Sequence, residues 1–235
     1  MGCPLNVQAV IFDLFGTLVP GFSTISYDAV LRAMAEDLGV AAPEFNRIWN
    51  GEMWPDRVIG RFRDAADSIV RACAGLGVRP SPDAVQTALS RRLAYERSLL
   101  TPFPDVVDAC ARLRGGGLRI GLISNCAMEL VPLWHESDLA RLFDVSILSA
   151  AVHLAKPDPR IYRLACEGLG VPPAACLYVG DGSDRELSGA RDVGMRPVLV
   201  ARSLDEAYDP ERPDVDAWQG AVVRRIADVP DLLRD

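Results

Sequence analysis

Lysine is almost missing from this 235-residue chain: among 25 basic residues only Lys156 is a lysine, and the others are arginine. A sequence that otherwise uses arginine keeps one lysine where a compact charge on a flexible stem is needed. Histidine is as scarce, and neither His135 nor His153 adjoins a motif that could use it as a ligand or base. Cys3, Cys73, Cys110, Cys126, Cys166 and Cys176 contain no C-x-x-C pair. That excludes the spacing of a zinc site or a disulfide framework and predicts reduced, mostly buried thiols. No apolar run is long enough to span a bilayer, and no basic segment followed by an apolar stretch opens the chain, so a cytoplasmic protein without a membrane partner is expected. The net charge of −7, with no basic cluster interleaved with aromatics, argues against nucleic acid. The expected partner is a small anionic molecule, and the expected assembly is a monomer or a homodimer.

What is present is the composition of a folded α/β chain, 49% hydrophobic and 24% charged. Val7–Phe12 is a β-branched apolar run that ends at Asp13, the pattern of a strand buried on both faces of a parallel sheet. Similar runs recur at Arg119–Ile123, Val145–Leu148, Leu177–Val179 and Pro197–Val200. Helical patterns at Asp105–Leu113, Met128–Glu136, Pro159–Leu169 and Arg185–Val193 lie between them, with Gly194 as a helix stop. This alternation predicts a doubly wound, Rossmann-like parallel sheet.

Between Pro20 and Thr101 the alternation stops. Only helical patterns remain there: Ser26–Leu38, Glu44–Trp49, Asp56–Leu76 and Pro82–Leu99. The expected organisation is an α/β core of residues 1–19 and 102–235 carrying an all-helical cap of residues 20–101. Gly115–Gly117 and Gly121 precede a strand instead of joining a strand to a helix, which rules out a dinucleotide-binding fingerprint.

In an open parallel sheet, ligands bind at the carboxyl ends of the strands. Four polar groups fall at four such ends: Asp13–Thr17, Ser124-Asn125, Lys156-Pro157, and Asp181 with Asp184 and Glu186 just beyond it. Each alone reads as a helix cap or a buried pair. Together they are a site. Carboxylates at adjacent strand ends need a cation between them, Mg²⁺ commonly joins one or two carboxylates to phosphate oxygens, and Lys156 with Ser124 would complete an oxyanion site.

The runs Phe-Asp-Leu-Phe-Gly-Thr-Leu, Ile-Ser-Asn, Lys-Pro-Asp-Pro and Val-Gly-Asp, in this order, resemble the four motifs of the haloacid dehalogenase superfamily. The helical insert resembles that superfamily's cap. The resemblance implies a hydrolase in which Asp13 is the nucleophile of a covalent aspartyl intermediate. It makes Ser124, Asn125 and Thr17 substrate-binding and gives Lys156 the neutralising charge. Mg²⁺ would sit on Asp13, the Phe15 backbone carbonyl and Asp181, with Glu186, preferred over Asp184, acting through a water.

Phe15 departs from the phosphatase pattern, which carries an acid there to protonate the leaving oxygen. The dehalogenases similarly have an aromatic residue at this place, and a departing halide needs no proton. Asp181 points the other way, because dehalogenases lack a metal ligand there. Weighing Asp181 more heavily, the motifs favour a Mg²⁺-dependent phosphatase of a small metabolite, with a 2-haloacid dehalogenase as the alternative and a non-catalytic phosphate-binding protein as a third reading. The carboxylate-binding arginine of a dehalogenase cap has only loose candidates in Arg32 and Arg47. The cap has no lysine for Schiff-base chemistry. Arg57 and Arg61, one turn apart, offer an anion grip or else a solvated helix face. Trp49, Met53 and Trp54 line the cap's substrate face or fill its core.

Overall fold

The computed structural model describes residues 7–202, 211–216 and 218–233, so Cys3 lies outside the described residues. Four apolar residues without exposed surface, Ala9–Phe12, form strand β1. Helices α1 (Thr24–Leu38), α2 (Ala42–Asn46), α3 (Trp54–Arg57), α4 (Ala65–Gly75) and α5 (Pro82–Leu99) follow, with a π-helical stretch at Arg47–Glu52. The chain continues through α6 (Val106–Gly115), β2 (Arg119–Ser124), α7 (Leu130–Glu136), β3 (Val145–Leu148), α8 (Ser149–Val152) and α9 (Pro159–Leu169). It then forms β4 (Cys176–Gly180), α10 (Glu186–Asp192), β5 (Arg196–Val200) and β6 (Ala221–Val223).

All described strand pairings are parallel, and the order is β3-β2-β1-β4-β5-β6. Side chains alternate between the faces of a strand, so a strand covered on both sides feeds two cores. Val10 and Phe12 pack with Ile120, Leu122 and Val179 on one face. Ala9 and Ile11 pack with Ile123, Cys176 and Tyr178 on the other. The chain leaves β1 towards β2 on one side and pairs it with β4 on the other, which makes the carboxyl end of β1 a switch point where ligands bind.

Every regular element from Thr24 to Leu99 is helical, and these helices share a cluster of their own around Leu31, Phe45, Trp49 and Ile69. Local signals set the boundaries. Ser23 caps α1, which ends at Gly39 with φ 68°, and Ser81 caps α5 with Pro82 in its first turn. The single helix expected over Asp56–Leu76 is divided. Its first part ends after Arg57, Gly60 turns the chain at φ 61°, and Asp64 starts α4 by accepting from the Asp67 N–H at 2.7 Å. The Glu44–Trp49 pattern is shared between α2 and the π-helical stretch. Strand β6, three residues at the sheet edge, was not signalled by the sequence. No helix among the described residues is long and apolar enough to cross a membrane.

Candidate active site

Asp13 follows β1 directly, and strand ends bring Ser124, Asp181 and the Lys156 loop to the same edge. Lys156 is buried and donates from Nζ to Asp13 Oδ1 and to Glu186 Oε2, each at 2.6 Å. Charge-assisted bonds of this length hold well in a dry site. Burial raises the Asp13 carboxyl above its ordinary range, and the Lys156 charge opposes that rise. Burial likewise pushes Glu186 up to about 8, with Asp13 adding to the shift and Lys156 opposing it. The two carboxylates in turn hold Lys156 well above the usual lysine range, against its desolvation.

Carboxylate oxygens of Asp13, Asp181 and Glu186 lie within 4.8 Å of one another, all buried. Nearly all of their oxygens have partners. Glu186 Oε1 accepts from the Gly182 N–H, and Oε2 also accepts from the Tyr178 hydroxyl. Asp181 Oδ1 accepts from the Ser183 N–H, while Oδ2 accepts from Arg212 Nε at 2.9 Å. Asp13 Oδ2 is buried without a hydrogen-bond partner among the described residues. Gly16, with φ 79°, passes so close to Asp181 that a Cβ there would collide with the carboxylate.

Asn125 ties the strand ends together: its Oδ1 accepts from the Lys156 N–H at 2.8 Å, and its Nδ2 donates to Asp184 Oδ2 at 2.7 Å. Asp184 is thus an exposed anchor for Asn125, held at φ 52°, while Glu186 is the acid inside the cluster. Thr17 and Ser124 are fully buried; Thr17 sits against the Asp13 carboxyl, and the Ser124 hydroxyl has no hydrogen-bond partner among the described residues.

A cavity of about 220 Å³ opens over Asp13, lined by Phe15, Asn125, Lys156 and, from the cap, Phe22, Tyr27, Trp54, Arg92 and Glu96. Rings pack along its wall, Phe15 on Phe22 at 4.9 Å and Phe22 on Tyr27 at 5.1 Å between centroids. The Arg92 guanidinium lies 4.9 Å from the Tyr27 ring and 5.4 Å from the Phe22 ring.

Arg57 is not among the lining residues, and it is buried, not solvated. Its guanidinium stacks 3.5 Å over Trp49 and bonds Glu129 at 2.5 Å, fully buried where the cap meets the core. Arg61 is exposed and pairs with Asp56, Arg32 is exposed, and Arg47 is exposed and paired with Glu52. Trp49 is in the cap core, whereas Trp54 reaches the cavity. His135 is exposed, and His153 bonds the Ile59 carbonyl.

Sequence reasoning missed Arg92, Glu96 and Arg212. A signal for the first two exists: Val85, Ala88, Arg92 and Glu96 are the buried residues of α5, so an ion pair stands on its apolar face. Arg212 had none, being far along the chain from the acid it meets.

Comparison with known proteins bears on this geometry. The family profile described as haloacid dehalogenase-like hydrolase matches residues 7–194. An (S)-2-haloacid dehalogenase of Pseudomonas putida is 31% identical over 97% of each chain. A glyceraldehyde 3-phosphate phosphatase of Methanopyrus kandleri is 29% identical, covering 88% of this chain and 90% of its own. Among solved structures, the L-2-haloacid dehalogenase of Xanthobacter autotrophicus with chloropropionic acid covalently bound superposes with a TM-score of 0.63 at 26% identity, covering 97% of this chain and 98% of its own.

Proposed function

Because this chain belongs to the haloacid dehalogenase-like hydrolases, we propose that it hydrolyses the carbon–halogen bond of a small 2-haloacid through an ester on Asp13. The observation that carries this reading is the pairing inside the acidic cluster. Lys156 and Arg212 bond Asp13, Glu186 and Asp181, and among the described residues the one carboxylate oxygen of the cluster without a hydrogen-bond partner is Asp13 Oδ2. That free oxygen belongs to the nucleophile.

Asp13 Oδ2 attacks C2 of the substrate from the side opposite the halogen. The carbon–halogen bond breaks and the halide leaves with its electron pair. No proton is needed at that step, so Phe15 in place of an acid is no handicap. Water then attacks the Asp13 carboxyl carbon, which frees the 2-hydroxy acid, restores the carboxylate and releases a proton. Phe15, Phe22 and Trp54 keep the nucleophile poorly hydrated, and Arg92 is the cationic partner for the substrate carboxylate. Residues 20–101 act as the cap that supplies this part of the cavity, over a core of residues 1–19 and 102–235.

A second reading, the Mg²⁺-dependent phosphatase that the motifs favoured, rests on the same acids. Asp13, Asp181 and Glu186 offer hard oxygen donors within 4.8 Å, and Gly16 leaves room beside Asp181. The donor set fits a dication, and the resemblance adds the Phe15 carbonyl. A bound Mg²⁺ would supply charge neutralisation for a phosphate dianion. Arg212 and Lys156 compete for those same oxygens, and Phe15 offers no proton to an alkoxide.

The test is product release from 2-chloropropionate and from a panel of phosphate esters, each with Mg²⁺ and with EDTA. Halide release undiminished in EDTA is expected. Metal-dependent phosphate release without halide release would overturn the first reading in favour of the second.

A further inference from the structure

Helix α5 carries Arg92 and Glu96 one turn apart, each 2% exposed, into the cavity wall that faces Asp13. The pair is not closed on itself. Arg92 Nη2 donates to Glu96 Oε1 at 2.5 Å, and Arg92 Nε lies 3.7 Å from Glu129 Oε1. Arg92 Nη1 and Glu96 Oε2 are buried with no hydrogen-bond partner among the described residues. Orphaned buried polar atoms cost about 1–3 kcal/mol each, more when charged, so both are poised for a ligand that satisfies them.

A carboxylate can accept from Nη1, but a second carboxylate beside it repels it. A proton on Glu96 Oε2 reverses that: the oxygen becomes part of a donor, and Arg92 with Glu96 presents one anion with two donors. The surrounding charges favour this arrangement. Arg57 and Glu129 pair with each other beside Arg92, Tyr27 and Tyr95 flank it, and Cys126 in the loop after β2 lies near Glu96 and Glu129. Across the cavity lie Asp13, Lys156, Asp184 and Arg212. With Glu96 neutral, two arginines face Glu129 alone, and one positive charge awaits an anion. Burial pushes the Glu96 carboxyl up to about 7 despite the opposing Arg92 charge, and Glu129 raises it further while Arg57 opposes.

We propose that Arg92 and Glu96 form a proton-coupled subsite for a monoanionic carboxylate, which binds between Arg92 Nη1 and a protonated Glu96 Oε2 and draws one proton from solvent as it does so. Under the dehalogenase reading the anion is the substrate's own carboxylate, and on that reading Glu96 sets the pH range over which substrate binds.

The probe is propionate, which has the carboxylate but no leaving group. Calorimetry on the full chain from about pH 5.5 to about pH 8.5, in two buffers of different ionisation enthalpy, reads affinity and proton uptake together. Above pH 7, affinity is expected to fall about tenfold per pH unit, with uptake approaching one proton per propionate. Glu96→Gln, whose amide keeps a donor at this position, should bind propionate with no pH slope and no uptake, and Arg92→Met should lose at least about tenfold in affinity. PH-independent binding with no proton uptake in the native chain, no binding at any pH, or an unchanged slope in Glu96→Gln would each overturn the subsite. The two proposals fail separately. Halide release from 2-chloropropionate with a flat KM across this range removes the subsite and leaves the reaction, while proton-linked propionate binding without halide release removes the reaction and leaves the subsite.

Discussion

Lys156 is the residue on which the most buried charge depends, since its Nζ bonds both Asp13 and Glu186 at 2.6 Å and is their only basic side-chain partner among the described residues. Removing one member of a buried ion network leaves its partners uncompensated, so Lys156→Ala is expected to lose about 3–5 kcal/mol of folding stability as well as turnover. Lys156→Arg should not restore activity, because a planar fork cannot reach both carboxylates as a point charge does. Asp13→Asn removes the nucleophile while keeping its shape. Turnover should fall to the assay's floor with the denaturation midpoint held, and mass spectrometry of the native chain incubated with 2-chloropropionate should find the ester on Asp13 alone. Turnover by Asp13→Asn near the native rate would remove Asp13 from the chemistry. At this scale the sequence was legible where chemistry sits beside a strand end: Asp13, Asp181 and Lys156 converge because each follows an element whose pattern is local. Arg92, Glu96 and Arg212 were not legible, because their positions depend on how the cap helices and the segment after β5 close over the sheet. Arg57 was misread for the same reason; nothing in its neighbours announces that Trp49 and Glu129 will enclose it.

Elements with strong local signals were read nearly to the residue. Pro82–Leu99, with Ser81 before it and Pro82 in its first turn, and Pro159–Leu169, which runs to Gly170 at φ 63°, match their sequence patterns end to end. The Asp56–Leu76 pattern ran through a break because Gly60 in an amphipathic sequence is ambiguous until its backbone is placed against α8. Two glycines separate conformational cost from packing cost. Gly39 has φ 68° and open space around its Cβ position, whereas Gly60 has φ 61° and a Cβ there would strike the Ala150 carbonyl. Gly39→Ala should therefore cost only the left-handed backbone penalty, about 1–2 kcal/mol. Gly60→Ala should cost that and more, because the α3–α4 turn must withdraw from α8. Denaturant titration of both variants checks the order, and equal losses would mean that the contact at Ala150 yields freely. Strand β6 escaped notice for a different reason: three residues at an edge carry too short a period to stand out.

For the molecule as a whole, the buried acids predict how stability follows pH. Glu96 is raised from 4.5 to about 7 and Glu186 from 4.5 to about 8, chiefly by burial. A carboxyl whose folded value lies above its unfolded value holds more protons in the native state. Its contribution is complete below the unfolded value and is lost as pH climbs through the folded one. Glu129 has the opposite sign: Arg57 and Arg92 hold it below its ordinary value against its desolvation, so its contribution exists above the unfolded value and disappears in acid. The net charge of −7 works in the same direction as the raised pair, since deprotonation adds charge to a chain that already repels itself. Unfolding free energy should peak on the acid side of neutrality and decline between about pH 6 and about pH 8.5, on the order of a few kcal/mol in total. Glu96→Gln should remove the part of that decline centred near 7 and leave the part due to Glu186. Saturating propionate should stabilise the native chain most at the acid end, where the proton that accompanies it is available, and least near pH 8.5. Urea titrations at half-unit pH steps, with and without propionate, measure all of this on one preparation. A native chain equally stable from pH 6 to pH 8.5 would show that Glu96 and Glu186 do not change protonation in that range.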